Sequence, residues 1–297
     1  EYDEQRRLMR FSPHTPPNRF VRQLFSDPAG GVLLAATDQD LQVLRDDTWG
    51  PAGPNSPKGA RIVPGSGDGS RWFYYAKGEL GWIHRQPEGY SFTAIPAPGL
   101  AEGFDSVLDR HGDAWIELGA GSCARVSLHA TRPVPRFYSA NEGRDNSWAQ
   151  LFLRDGLVQC CTAGRILRHD PAADRFVLDT AFDTRFGGLS PGYTGRPTRD
   201  ANGRFWLVAN ADVQVFDEDG PLAQRLDLPD LFGLRPYYFF TQDDGVVLMH
   251  RENYLVRYDP AMPALPPPPL RAAISRVQLL ADNRTLYPKN GWIDPIA

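Results

Sequence analysis

The sequence predicts an all-β chain assembled from one repeated unit of short strands, and three observations predict it. First, a glycine precedes a short apolar run six times, at Gly31, Gly69, Gly112, Gly156, Gly203 and Gly245, with intervals of 38, 43, 44, 47 and 42 residues. Second, a further apolar stretch follows each run, often closed by an acidic residue or proline, as in Ile166 to Pro171 and Leu255 to Pro260. Third, 28 glycines and 27 prolines supply turns throughout, while no long stretch has the 3.6-residue period of an amphipathic helix. A steady period of about 40–45 residues built from short strands is that of a β-propeller blade. A β-sandwich of this size would not keep so long a period.

The unit is clearest from Arg199 to Gly220. Asn202-Gly203 makes a tight turn, Phe205 to Ala209 reads as a strand buried on both faces, and Val213 to Phe216 is the strand returning from it. Tryptophan stands three places after the glycine at Trp72, Trp115 and Trp206; Leu34, Gln159 and Leu248 stand there in the other copies. Large side chains at one repeated position would pack blade against blade. Six blades are therefore expected at about 18–53, 59–99, 103–140, 146–183, 195–229 and 235–260. Leu8-Met9-Arg10-Phe11 near the start reads as an orphan strand, either completing a blade begun elsewhere in the chain or forming the tail of a blade whose beginning lies upstream.

The propeller is expected to occupy residues 1–262. Residues 263–269, with prolines at 266 to 269, form a stiff extended linker. Ala273 to Leu279 alternates like a half-buried strand, so 270–297 are expected to be the truncated start of a further β-domain. Opening at Glu1 rather than methionine, the chain reads as a piece of a longer protein.

Net charge is −4, with basic residues dispersed among acidic ones, which gives nucleic-acid binding little electrostatic support. No apolar run reaches membrane-spanning length. Cys123, Cys160 and Cys161 fall in expected strands as small buried hydrophobes. Several motif-like stretches lack the context their chemistry needs. Gly119-Ala120-Gly121-Ser122 follows a strand, but Arg125 to Leu128 continues as strand and offers no helix N-terminus to a pyrophosphate. Asp200 to Gly203 and Asp217 to Gly220 echo calcium loops without the closing glutamate and read as turns. The six histidines lack paired metal-ligand spacing, and no nucleophile elbow occurs. No metal and no cofactor is expected.

Asn18 to Val21 through Ser26-Asp27, then Gly30 to Thr37, then Asp40 to Leu44, resembles the two-component regulator propeller repeat. Gly112-Asp113-Ala114-Trp115-Ile116 and Gly203-Arg204-Phe205-Trp206-Leu207 are similar to its glycine-to-tryptophan segment. The proline run followed by Ile274-Ser275-Arg276-Val277 resembles the junction into the triple-tyrosine, immunoglobulin-like domain that succeeds these propellers. The resemblance spans nearly the whole chain in degenerate copies, and since such rings usually have seven blades it leaves six or seven open. It implies the periplasmic sensor region of a bacterial inner-membrane receptor whose output is a histidine kinase or a diguanylate cyclase.

In propellers the loops entering the innermost strands gather at one mouth of the central channel. Here they supply Phe104, Asn146, Trp148, Tyr193, Arg196, Arg235, Tyr237 and Tyr238, the expected ligand-binding residues. Rings stack on sugar faces and guanidinium forks hold carboxylates, so a carbohydrate or another small molecule is the expected partner, with a receptor homodimer as a further association. The same side chains also suit packing between blades. The expectation is a sensory module without catalytic activity of its own. Its competitors are a propeller polysaccharide lyase or glycosidase and a protein-binding scaffold.

Overall fold

The computed structural model describes residues 20–27, 32–46, 48–67, 69–119, 121–139, 149–162, 165–183, 197–209, 212–217, 222–226, 238–241, 245–251 and 254–259, with short strands at 2–3, 8–9, 277–279 and 284–286. The chain separates into two compact units, Glu1–Tyr258 and Asp259–Ala297. The first opens with β1 (Tyr2–Asp3) paired antiparallel to β2 (Leu8–Met9). Leu8-Met9 thus pairs locally and, among the described residues, completes no blade.

Six antiparallel sheets follow and make a six-bladed β-propeller. Blade one is β3 (Val21–Asp27), β4 (Val32–Thr37), β5 (Leu41–Arg45) and β6 (Thr48–Pro51). Blade two is β7 (Arg61–Ile62), β8 (Arg71–Ala76), β9 (Glu79–Gln86) and β10 (Gly89–Pro96). Blade three is β11 (Gly103–Leu108), β12 (Asp113–Leu118), β13 (Cys123–Ser127) and β14 (Arg136–Tyr138). Blade four is β15 (Ala149–Arg154), β16 (Leu157–Thr162), β17 (Arg165–Asp170) and β18 (Arg175–Leu178), with a short helix α1 (Thr180–Asp183) behind it. Blade five is β19 (Thr198–Arg199), β20 (Phe205–Ala209), β21 (Asp212–Phe216) and β22 (Leu222–Leu226). Blade six is β23 (Tyr238–Thr241), β24 (Val247–Arg251) and β25 (Tyr254–Tyr258), three strands among the described residues where four were expected. The second unit holds the hairpin β26 (Val277–Leu279) and β27 (Arg284–Leu286).

Among the described residues, each of blades one to five buries one face against the next. Leu34 and Val43 meet Trp72 and Tyr90; Phe73 and Leu80 meet Ile116 and Val126. Trp115 and Tyr138 meet Cys160 and Phe176; Phe152 and Ile166 meet Phe205 and Phe216; Trp206 and Val215 meet Val247 and Met249. Burying one such side chain contributes about 1.5–3 kcal/mol, and no blade could do so alone. The three cysteines are buried thiols in these strands.

The repeated tryptophan is anchored by an aspartate six residues before it. In blade five Asp200 ends the first strand, and its Oδ1 accepts the amides of Asn202 and Arg204, both at 2.9 Å. Its Oδ2 accepts the Trp206 indole N–H at 2.9 Å. Blade three repeats the device: Asp109 Oδ1 takes the amides of His111 and Asp113 at 2.8 and 3.0 Å, and Oδ2 takes the Trp115 indole at 2.9 Å. The calcium-like turn at Asp200 to Gly203 is thereby explained as structural, while residues 218–220 of the other lie outside the described residues. Burial alone would raise the Asp200 carboxyl, but the Trp206 indole and the Arg204 amide and guanidinium outweigh it and hold it below the usual range.

Trp72 does not belong to this series, contrary to the alignment on glycine. Val63 and Phe73 pair as Val107 and Trp115 do, and Phe73 faces the following blade while Trp72 faces the preceding one. The β7–β8 turn is longer, and Ser70 is an extra residue after Gly69. One added residue turns a side chain to the opposite face of a strand. Blade four departs the other way. Asp155 and Gly156 both adopt positive φ, 52° and 69°, in a two-residue hairpin that leaves no room for the aspartate anchor.

A clasp joins blades three and four. Asp174, at φ 47°, accepts the Tyr138 hydroxyl at 2.7 Å, lies 3.2 Å from both Arg125 and Arg136, and is 3.4 Å from the His169 ring nitrogen. His169 in turn packs its ring on Trp115 at 4.6 Å. Burial and then the Arg125 cation lower the His169 pKa from 6.5, against the opposing pull of Asp174 and Asp109.

Two outcomes are expected. Asp200→Ala strands the indole and two amides and should lower unfolding free energy by about 2–3 kcal/mol in urea titrations; a loss below 0.5 kcal/mol would show the anchor to be incidental. Because folded His169 resists protonation while the unfolded chain accepts it, its stability contribution is complete above pH 6.5 and lost as pH falls through the lower folded value. Melting temperature should therefore fall more steeply between pH 7 and 5 in the native chain than in His169→Gln; parallel curves would contradict this assignment.

Candidate functional site

The first strands of successive blades touch one another: β3 with β7, β11 with β15, and β19 with β23. They are therefore the innermost strands, and their side chains line the axis. A cavity of about 350 Å³ opens there between blades three and six. Asp105 and Val107 come from β11, Phe152 and Leu153 from β15, Pro197, Thr198 and Arg199 from β19 and its approach, and Phe239 and Phe240 from β23. That volume is within the range of small-molecule sites, and the lining has their usual character, mostly apolar with a few polar groups.

The apolar wall is held from behind. Phe152 packs edge-on against Phe205 at 6.3 Å, and Phe239 is tilted against Trp206 at 6.2 Å. Phe240 is instead 54% exposed, and so are Leu24 on β3 (58%) and Phe104 on β11 (44%). Exposed apolar side chains on innermost strands have the channel and its mouths to face. Asp105 Oδ1 accepts the Ser106 amide at 2.7 Å. The Arg199 guanidinium lies 5.9 Å from the Phe205 ring centre, and the Arg199 carbonyl accepts the Thr241 hydroxyl at 3.0 Å.

Outside the cavity lining, the innermost strands of blades one and two and the approach to blade three carry more polar side chains. Gln23 pairs its amide with the backbone of Ile62 in both directions, at 2.7 and 2.9 Å. Arg22 pairs with Glu102, and Arg61 donates to the Arg22 carbonyl at 3.3 Å. Tyr75 is fully buried beside Asp105 and Ser106, and burial with the Asp105 carboxylate pushes its hydroxyl far above the ordinary tyrosine range. Its ring lies where a Cβ on Gly103 would stand, 2.4 Å from the nearest ring carbon, so only glycine fits there. Among the described residues there is no group of three or more metal-ligating side chains.

Of the residues expected at the mouth, Phe104 is on β11 directly before the cavity-lining Asp105, its ring 3.5 Å from a Cβ position on Gly119. Tyr238 opens β23 and pairs with His250; its side chain, with Asn146, Trp148, Tyr193, Arg196, Arg235 and Tyr237, lies outside the described residues. The sequence reading looked to loops and passed over Asp105, Phe152, Arg199, Phe239 and Phe240 within the strands. Consecutive aromatics at 237–240 were the one available signal, since a strand cannot bury two neighbours on the same face.

Fold and cavity together define a six-bladed propeller with a ligand-sized axial site. No family model and no curated protein sequence matches the chain. Solved structures do share its fold. Virginiamycin B lyase from Staphylococcus aureus aligns with TM-score 0.55 and 10% identity over 81% of this chain and 84% of that one. The β-propeller domain of Cps50 (Swd1) from Myceliophteria thermophila aligns with TM-score 0.58 and 13% identity over 82% and 85%. The extracellular domain of the hybrid two-component system BT3049 from B. thetaiotaomicron aligns with TM-score 0.52 and 12% identity, over 77% of this chain and 32% of that one. At these identities the likeness is one of fold. The expectation of a module without catalytic activity is corrected on this point: lyases share the fold, so the fold gives no support for excluding catalysis. Missing motifs gave no ground for excluding catalysis on this scaffold.

Proposed function

We propose that this propeller is the ligand-sensing region of a bacterial two-component receptor, working in the periplasm, and that the axial cavity is its ligand site. The observation that carries the reading is the cavity, with exposed Phe240 beside it on an innermost strand. The likeness to the extracellular domain of a hybrid two-component system supports the sensory setting. The same likeness to lyases leaves the chemistry of the cavity to experiment.

In this reading residues 263–269 are a proline-stiffened connector and 270–297 the start of an immunoglobulin-like, triple-tyrosine domain that leads to a membrane-linked kinase or cyclase. A ligand shifts such a receptor only through different affinities for its two arrangements. The β26–β27 pair would belong to that relaying domain.

Phe240→Ala tests the site directly. Over half exposed, Phe240 contributes little to the core, so its loss should leave thermal stability within about 0.5 kcal/mol while weakening ligand binding about tenfold or more in calorimetric titrations of the propeller. Unchanged affinity would move the ligand elsewhere. Turnover of the bound compound would replace the sensor with an enzyme.

A further inference from the structure

We infer that the axial cavity takes an uncharged, flat aromatic compound of two rings in preference to a sugar or an ion. The inference rests on the cavity being the ligand site and names the class of ligand that fits it. Its basis is the volume of the cavity, the chemistry of its wall and the direction in which the charged groups at its edge are turned.

Among the described residues, six of the nine that line the cavity are apolar: Val107, Phe152, Leu153, Pro197, Phe239 and Phe240. Phe152 and Phe239 are buried and backed by Phe205 and Trp206, so this wall is formed before anything binds. Phe240, more than half exposed, is the ring left to cover an occupant. The two charged lining residues are engaged with the chain itself. Asp105 Oδ1 accepts the amide of Ser106 at 2.7 Å. Arg199 lays its guanidinium on the hairpin of its own blade, with Nη2 3.4 Å and Nε 3.8 Å from a Cβ position on Gly203 and the group 5.9 Å from the Phe205 ring centre.

Size then sets the number of rings. An apolar cavity of about 150 Å³ holds benzene. This one, at about 350 Å³, has room for two rings and little more. Rings that meet the phenylalanine wall edge-on or offset gain directional attraction on top of the burial of apolar surface. A sugar matches the wall poorly, because each hydroxyl that leaves water needs a partner and the apolar side chains have none to give. A carboxylate or an ammonium fares worse, since Arg199 or Asp105 would have to leave its present partners to receive it. A neutral ring system requires neither to move.

The test is isothermal titration of the whole chain, at several temperatures, with naphthylmethanol, naphthoate, naphthylmethylammonium and a neutral disaccharide. The alcohol should bind about tenfold or more tightly than either ion, with the negative heat-capacity change that burial of apolar surface brings. Phe240→Ala should weaken the alcohol about tenfold. The comparison of alcohol with ions uses the native protein and stands even if the variant fails to fold. An ion that binds as tightly as the alcohol, or no binding of any naphthyl compound, would overturn the neutral aromatic ligand. Disaccharide binding that Phe240→Ala weakens, without naphthyl binding, would overturn it while keeping the cavity as the ligand site. Naphthyl or disaccharide binding that Phe240→Ala leaves untouched would overturn both.

Discussion

Every sheet of this ring has two apolar faces and only its neighbours to cover them. That constraint explains why the strands read as nearly continuous apolar runs where a half-exposed sheet would alternate. It also explains why the core is a series of separate clusters, each shared by two blades. Energetically the molecule is a chain of nearest-neighbour interfaces. Damage at one face is felt first by the adjoining blade.

Packing of this kind demands that each second strand present its large residue on the correct face, and the turn before it decides which face that is. The aspartate anchor fixes the decision in blades three and five by tying the turn amides and the indole to one carboxylate. The same lock sets the height of the innermost strand, which ends at the aspartate. The placement of Thr198 and Arg199, which immediately precede Asp200, therefore follows from a packing device on the far side of their strand.

Much of the fold was readable from the residues because turns and strands are local. Glycines at positive φ, among them Gly69, Gly112, Gly156, Gly203 and Gly245, marked the hairpins, and the blade limits followed from them. Trp115 and Trp206 took their expected places, while Trp72 did not, since turn length alters facing without altering composition. The site was far less legible. Phe152 and Phe239 look like core residues in any strand, and they are indeed packed from behind; that they also wall a cavity depends on where four separated strands converge. Asp105 sits where β11 changes register between Gly103 and Ser106, an irregularity that spacing alone does not announce. Phe104, expected in a loop, is the second residue of β11, next to the cavity-lining Asp105.

Blade one retains the aspartate but has Leu34 where an indole would be. Its Asp27, fully buried, accepts instead the hydroxyl of Tyr90 at 2.8 Å, from the outermost strand of the next blade, with Arg85 3.7 Å away. A bond that elsewhere stays inside one repeat has here been handed across the seam. The two repeats are consequently no longer interchangeable modules: removing blade two takes Tyr90 and Arg85 from the buried Asp27, and removing blade one takes the acceptor from the Tyr90 hydroxyl. An array of such units is then specified as a whole, because the order of its blades is written into the bonds between them.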